Sequence, residues 1–318
     1  MNWTRECFIE QGYKATVTDA PLANYSWIPD NSIFPKDISA VNLSSRYAKL
    51  WRKNHDMEVT GYRLSDTLKR NFLFFDFFRI APVSLRGLLY KHGSWWNSNE
   101  DADKDEFSTF IKWYAVLDYL PELSDVVSDG NSYIAMENDT THELVWMQPP
   151  EYTLENKFGS DYAFIHFHVN AAALNRLGEW FEWMKENGVY DNTRIVIASD
   201  HGRKFENPLI DTDYDNAQIC RYNSLLLFKD FGSRGDFTVD ESFMSCADVP
   251  YLVTAGTSPT PANPFTKTPF DYNTKSSGFH VYSGPVEANQ HGRNSFVLTE
   301  EYIVKDNIFK AENWEKIK

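Results

Sequence analysis

The sequence has few cysteines, and it lacks both the long apolar runs of membrane-spanning proteins and the long basic runs of many nucleic-acid-binding proteins. Its three cysteines, Cys7, Cys220 and Cys246, are odd in number and far apart, which fits neither a disulfide framework nor a zinc ribbon. No stretch approaches the roughly 18–20 consecutive apolar residues that span a bilayer, and the first residues lack the apolar core of a signal peptide. Long runs of Lys and Arg are also missing. With 31 basic against 45 acidic residues, the formal charge of −14 repels phosphates, so we expect no nucleic acid partner.

The apolar content, in contrast, is high enough for a sizeable buried core. The 318 residues are 42% hydrophobic and 16% aromatic. Strands alternate with helices along the chain, which predicts an α/β domain with a mostly parallel sheet. We predict a single domain over residues 1–318, partial at its N-terminus, with a mainly helical insertion at 40–120 and a peripheral wrap at 257–318. The predicted elements are strands at 14–18, 132–137, 162–165, 193–198 and 223–228, and a helix from near Asn170 to a stop at Gly188.

Three polar loops follow predicted strands, where open α/β sheets gather their ligand groups. They begin at Asp19, at Asp139 and at Asp200. The third is the sharpest, because Asp200-His201-Gly202 places a carboxylate and an imidazole side by side at a strand end, and the glycine lets the backbone turn away. Such a pair is half of a site for a divalent cation such as zinc or manganese. The alternative is that Asp200 caps a following helix and His201 is an ordinary surface histidine.

The segment from Leu177 to Gly202 resembles the signature of the alkaline phosphatase superfamily, in its sulfatase and lipoteichoic acid synthase branch. A helix, the phrase Asp191-Asn192-Thr193, a hydrophobic strand and Asp200-His201-Gly202 occur in the family's order. The resemblance extends over roughly residues 8–270. It implies a three-layer αβα fold and metal-dependent transfer of a phosphoryl or sulfuryl group, of the phosphoglycerol or phosphoethanolamine transfer type. Asp200 and His201 would be metal ligands, and His142 would contact the transferred group.

The resemblance also implies a cellular setting and a set of partners. The family's domain stands on the extracytoplasmic face of the membrane, so membrane contact would come through an upstream segment. The substrate would be an anionic ester, lipid- or glycan-linked, and the metal zinc or manganese, with calcium and magnesium as alternatives. Arg203 would attract the anion, or be a solvated basic residue, and His291 would close over the site from the tail.

One departure from the family pattern concerns the nucleophile. The family's nucleophile and first metal carboxylate precede the strand that residues 14–18 match, and no such motif is present there. Thr4 and Cys7 lie close to the start of the chain, but neither is part of a recognisable nucleophile motif. We therefore expect a chain without an identifiable nucleophile. The alternative function is a non-catalytic sulfatase-fold module for binding or regulation.

Two further groups of residues have competing interpretations. His166 and His168 alternate at the end of the predicted strand 162–165, so they would serve either structural hydrogen bonding or metal ligation. The aromatic segment 72–78 and Trp95-Trp96 are predicted to be core, with contact to a lipid or glycan as the alternative.

Overall fold

The computed structural model describes residues 8–20, 31–57, 64–90, 107–155, 162–203, 216–256, 267–268, 278–283 and 300–318. They form a mixed α/β structure that divides into two compact units, Tyr13–Trp183 and Met184–Lys318 with Met1–Gly12. The single domain over residues 1–318 stays a prediction. The strands are β1 (Lys14–Thr18), β2 (Ile38–Val41), β3 (Ser132–Met136), β4 (Trp146–Gln148), β5 (Thr153–Glu155), β6 (Ile195–Ala198), β7 (Leu226–Lys229), β8 (Phe279–Ser283), β9 (Glu300–Val304) and β10 (Trp314–Lys316). The helices are α1 (Ser44–Asn54), α2 (Leu64–Ile80), α3 (Val83–Tyr90), α4 (Ser108–Asp118), α5 (Leu120–Leu123), α6 (Tyr162–Glu186), α7 (Asn216–Tyr222) and α8 (Val249–Thr254).

A three-stranded parallel sheet of order β2-β1-β3 organises the unit Tyr13–Trp183. Strands β1 and β3 confirm the predictions at 14–18 and 132–137, whereas β2 has no counterpart among the predicted elements. Ala15 and Val17 on β1 are buried, as the β-branched and apolar pattern requires. Because all three strands run in one direction, the loops after β1 and β3 leave the same edge of the sheet.

The core of this unit lies where α1, α4 and the first half of α6 meet the β4–β5 hairpin. Ile111, Val169 and Ala172 are fully buried there, and Phe110 and Met147 are nearly so. The Trp51 indole donates a hydrogen bond to Asp118 Oδ2 at 2.8 Å, so its polar edge is satisfied within the apolar cluster. The helices α1 to α4 contain most of the described residues between 40 and 120, and the assignment of this segment as an insertion stays a prediction.

The predicted strand at 162–165 is wrong, because this segment is the start of α6. Ile165, Val169 and Ala172 recur at helical spacing and form the buried face of that helix. A short apolar run cannot be distinguished from the first turn of a buried helix by periodicity alone. The stop at Gly188 is confirmed: this residue has φ +70°, and its N–H donates to the carbonyl of Lys185.

Antiparallel pairing dominates the other unit, which corrects the prediction of a mostly parallel sheet. β6 pairs antiparallel with β7, and β10-β9-β8 form an antiparallel sheet in the C-terminal region. Within the described ranges, β6 has no other strand neighbour. Its residues are half-buried or exposed rather than enclosed on both faces. An apolar strand can pair in either direction. The composition of residues 195–198 therefore does not determine the direction of the strand that pairs with β6.

The aromatic segment 72–78 is not core, contrary to prediction. Phe72, Phe75 and Phe77 on α2 are exposed. At about 100° per residue, phenylalanines at 72, 74, 75, 77 and 78 point to several sides of one helix and cannot all face a single core. Trp95-Trp96 lies outside the described residues. Over the part of the chain that the structure describes, no helix has the length and apolar character needed to cross a bilayer.

Candidate functional site

The turn after β6 is fixed by its own backbone and by the segment that joins α7 to β7. The Ser199 N–H donates to the carbonyl of Leu225 at 3.0 Å, and the Leu225 N–H donates to Ser199 Oγ at 2.7 Å. The Gly202 N–H donates to the carbonyl of Arg221 at 2.8 Å. These bonds hold both ends of the turn, so the two residues between them project from a defined backbone.

Gly202 is required by close packing and not by an unusual turn conformation. A Cβ at this position would lie 2.5 Å from the carbonyl oxygen of Asn223 and still closer to that of Cys220, where real Cβ atoms stay beyond 3.0 Å. Its φ is outside the left-handed range that favours glycine. The missing side chain at Gly202 therefore lets two backbone segments pack directly against each other.

Asp200 and His201 project from this turn with a defined relation to each other. Asp200 Oδ1 accepts the His201 backbone N–H at 2.9 Å, and Asp200 Oδ2 lies 3.6 Å from His201 Nε2. His201 Nδ1 lies 2.7 Å from the carbonyl oxygen of Gly202. Because a carbonyl only accepts, Nδ1 carries the hydrogen, and Nε2 of the neutral ring keeps its lone pair. The Asp200 side chain is 87% exposed and the His201 side chain is 47% exposed.

The two side chains fit half of a coordination shell. Two ligands at about 2.1 Å from a tetrahedral ion stand about 3.4 Å apart, close to the 3.6 Å between Oδ2 and Nε2. A ring whose Nδ1–H donates to a carbonyl is oriented as metal-binding histidines usually are. Among the described residues, no three His, Cys, Asp or Glu side chains are grouped so that they could hold an ion. Among the described residues, the turn thus brings together two side chains of the kind that ligate metal ions, and their binding of an ion stays a prediction.

Cys246 anchors the same turn, a role that sequence reasoning missed. Its thiol donates to the carbonyl of Ser199 at 3.1 Å and lies 3.7 Å from that of Asp200. Ser224 Oγ is 3.4 Å from the same sulfur. The cysteine lies more than forty positions from Asp200 along the chain, and no local pattern around it indicates the contact.

Arg194, at the start of β6, ties the strand to its surroundings. Its guanidinium donates to Asp230 Oδ1 at 2.7 and 2.9 Å, to the carbonyl of Val253 at 3.2 Å, and to that of Ala255. It also lies over the Phe231 ring, 4.7 Å from the centroid. Burial opposes the charge of Asp230, but hydrogen bonds from Arg194 and from a backbone N–H, together with the nearby Lys229, lower its pKa. Arg194 therefore stabilises the strand that carries the turn.

Two of the predicted site residues, His142 and Asp19, lie in the unit Tyr13–Trp183, in loops that follow strands of its parallel sheet. His142 ends a short 3-10 turn, Thr140–His142, after β3; it is exposed, with Nδ1 3.3 Å from Glu143 Oε1. Asp19, after β1, leaves the same edge of the sheet but is buried, and its Oδ1 accepts the N–H groups of Leu43 and Ser44 at 3.0 Å each. Asp19 therefore caps α1. The convergence of His142 with Asp200 and His201, which belong to the other unit, stays a prediction.

The remaining predicted residues divide into described and undescribed ones. Arg203 follows Gly202 and is half-buried. His291, Thr4 and Cys7 lie outside the described residues.

The two alternating histidines are not at a strand end, which corrects the expectation that they face a crevice. His166 and His168 are buried on α6, and the His168 ring packs edge-on against Phe164 with centroids 4.2 Å apart. Because both side chains are buried on α6, neither can ligate a metal ion at a solvent-accessible site.

Comparison with known proteins gives no match: no protein-family model, no curated protein and no solved structure is similar to this chain.

Proposed function

We propose that the chain carries a sulfatase-type, metal-dependent site for hydrolysis or transfer of phosphate or sulfate esters. The observation that carries the proposal is the Asp200–His201 pair. Its free carboxylate oxygen and ring nitrogen are 3.6 Å apart on a turn whose backbone is fixed. An anionic ester needs a local positive charge in a chain of formal charge −14, and a cation held by these two atoms would provide it and lower the pKa of a bound hydroxyl.

Each remaining residue has a defined part in this proposal. The Gly202 carbonyl keeps the hydrogen on His201 Nδ1, so Nε2 stays available to the ion. His142 would contact the transferred group, and Arg203 would attract the anionic substrate. We extend the proposal to the family's three-layer αβα arrangement, which the parallel strands β2-β1-β3 support, and to the extracytoplasmic face of a membrane. The second candidate is a non-catalytic module, favoured by the fact that only two ligands meet at the turn in the described residues.

Isothermal titration calorimetry with manganese or zinc tests the site itself. We expect His201→Gln and Asp200→Asn each to weaken binding by more than about tenfold, because each replaces an imidazole or carboxylate by a neutral amide that binds these ions more weakly. His280→Gln is the matched control, since this exposed histidine pairs with Glu301 on the β8–β9 sheet, with 2.6 Å between Nδ1 and Oε1. Equal affinity in the wild type and in the Asp200→Asn/His201→Gln double variant would refute the site.

A turnover assay separates the two candidate functions. We expect little or no cleavage of a chromogenic phosphodiester or sulfate ester by the metal-loaded chain, because no nucleophile is identified. Robust turnover that Asp200→Ala abolishes would establish the enzyme and show that the nucleophile has been overlooked. Metal binding without turnover, together with binding of an uncleaved anionic ester, supports the non-catalytic module.

A further inference from the structure

The corner between α2 and α3 presents large apolar side chains to solvent. Ile80 and Val83, on either side of the Ala81-Pro82 turn, are each 79% exposed. Monomeric proteins rarely leave large apolar patches uncovered unless they bind something there. We call the following six exposed side chains the apolar corner: Phe72, Leu73, Phe77, Ile80, Val83 and Leu85.

The Arg86 side chain lies in the angle between α2 and α3. Arg86 Nε donates to the carbonyl of Ala81 and Arg86 Nη2 to that of Arg79, both at 3.2 Å, and the guanidinium lies 5.5 Å from the Phe78 ring centroid. These bonds satisfy carbonyls at the end of α2, which fixes the angle between the two helices. The corner is therefore preformed, with the Arg86 guanidinium held at the turn between Ile80 and Val83 and with the exposed Arg79 next to Ile80 in the sequence.

The local charge is positive and favours an anionic partner, although Asp76 is exposed on the same face of α2 as Phe72 and Ile80. Residues 64–90 contain four basic and two acidic residues, 4 − 2 = +2, in a chain of formal charge −14. A second copy docked face to face through this corner would bring like arginines together, since a two-fold contact pairs the same patch with itself. An anionic lipid surface instead offers phosphates to the arginines and hydrocarbon to the apolar side chains.

We infer that the apolar corner docks on the interface of an anionic membrane. Ile80 and Val83 enter the boundary between head groups and acyl chains, while Arg79 and Arg86 stay at the level of the phosphates. In this arrangement α2 and α3 lie in the plane of the interface and do not cross the bilayer. This inference rests on α2 and α3 alone and is independent of the proposed metal site.

Vesicle flotation of the full chain tests the inference. We expect the wild type to float with phosphatidylglycerol–phosphatidylcholine vesicles, to bind phosphatidylcholine vesicles more weakly, and to lose part of its binding in high salt. Ile80→Glu/Val83→Glu should lower the partition coefficient at least about tenfold, because two apolar side chains leave the interface. The matched control is Val239→Glu, an apolar residue that is equally exposed at 79% on a loop of the other unit; its binding should equal that of the wild type.

Three results would overturn the inference. The first is a wild type that does not float with the vesicles. The second is a Val239→Glu control that loses as much vesicle binding as the corner double variant, and the third is a corner double variant that floats like the wild type. Size-exclusion chromatography tests whether a second copy of the chain binds this surface instead. A dimer that the corner substitutions dissociate, without any vesicle binding, would assign the surface to a second copy. Because both substituted residues project into solvent, circular dichroism should confirm that the variant is folded.

Discussion

The closest packing at the candidate site predicts that Gly202→Ala destabilises the protein. To move a Cβ to 3.0 Å from the Asn223 oxygen alone, the two backbones must separate by 3.0 − 2.5 = 0.5 Å, and the Cys220 oxygen requires more. Both neighbours are backbone atoms, so no side-chain rotation can relieve the clash. The substitution also strains the hydrogen bond from Gly202 N–H to Arg221.

The magnitude follows from these two costs. Forcing an atom into a packed site costs about 1–3 kcal/mol, and losing a backbone hydrogen bond costs about 1 kcal/mol. We therefore expect a loss of about 2–4 kcal/mol in the free energy of unfolding. For a unit of this size it corresponds to a fall in Tm of about 5–15 °C.

Thermal and urea unfolding, followed by circular dichroism, measure the effect. Gly178→Ala is the matched control, because Gly178 lies inside α6 and a Cβ there meets no atom within 4 Å. The same substitution should stabilise that helix by about 0.5–1 kcal/mol. If Gly202→Ala unfolds within about 0.5 kcal/mol of the wild type, the change falls in the range of ordinary surface substitutions. The contact between the turn and residues 220–223 would then be absent in solution.

Two further predictions concern stability away from the turn. Arg194→Lys should lower the free energy of unfolding by about 2–3 kcal/mol, because an ammonium cannot span Asp230 and two carbonyls; urea unfolding that matches the wild type would contradict this. Burial, with Asp118 adding to it and Arg176 opposing it, raises the pKa of Tyr114 from 10.0 to about 12. The folded state keeps the proton more tightly, so about 3 kcal/mol of stability present below pH 10 is lost between pH 10 and 12. Tyr114→Phe should flatten urea midpoints over that range; an equally steep loss would refute the burial argument.

Local patterns in the sequence predicted the elements whose signal is contained within a few residues. Lys14–Thr18 and Ser132–Met136 are strands because β-branched and apolar residues are bounded by turn signals. Gly188 ends α6 because its positive φ is nearly free of cost for glycine alone. In each case the physical cause is local, so no knowledge of the rest of the chain is needed.

Features that depend on distant residues were not predictable. Nothing in residues 195–198 specifies that β6 pairs antiparallel with β7, since the hydrogen-bonding groups of a strand serve either direction. The contact of the Cys246 thiol with Ser199 and the capping of α1 by Asp19 join residues far apart in sequence. The start of α6 was assigned to a strand because an apolar run of four residues carries too little periodicity.

The constraints around Asp200 and His201 agree with the binding role that we propose for the pair. Gly202 is constrained by two backbone carbonyls, and Ser199 by Leu225 and Cys246. The side chains between them project into solvent, and a purely structural turn would need no fixed geometry for exposed groups. A binding site benefits from a fixed geometry, because ligand atoms that are already positioned lose less conformational freedom when an ion binds. We therefore expect Gly202→Ala, which loosens the turn, to weaken manganese binding even though the side chains of Asp200 and His201 remain.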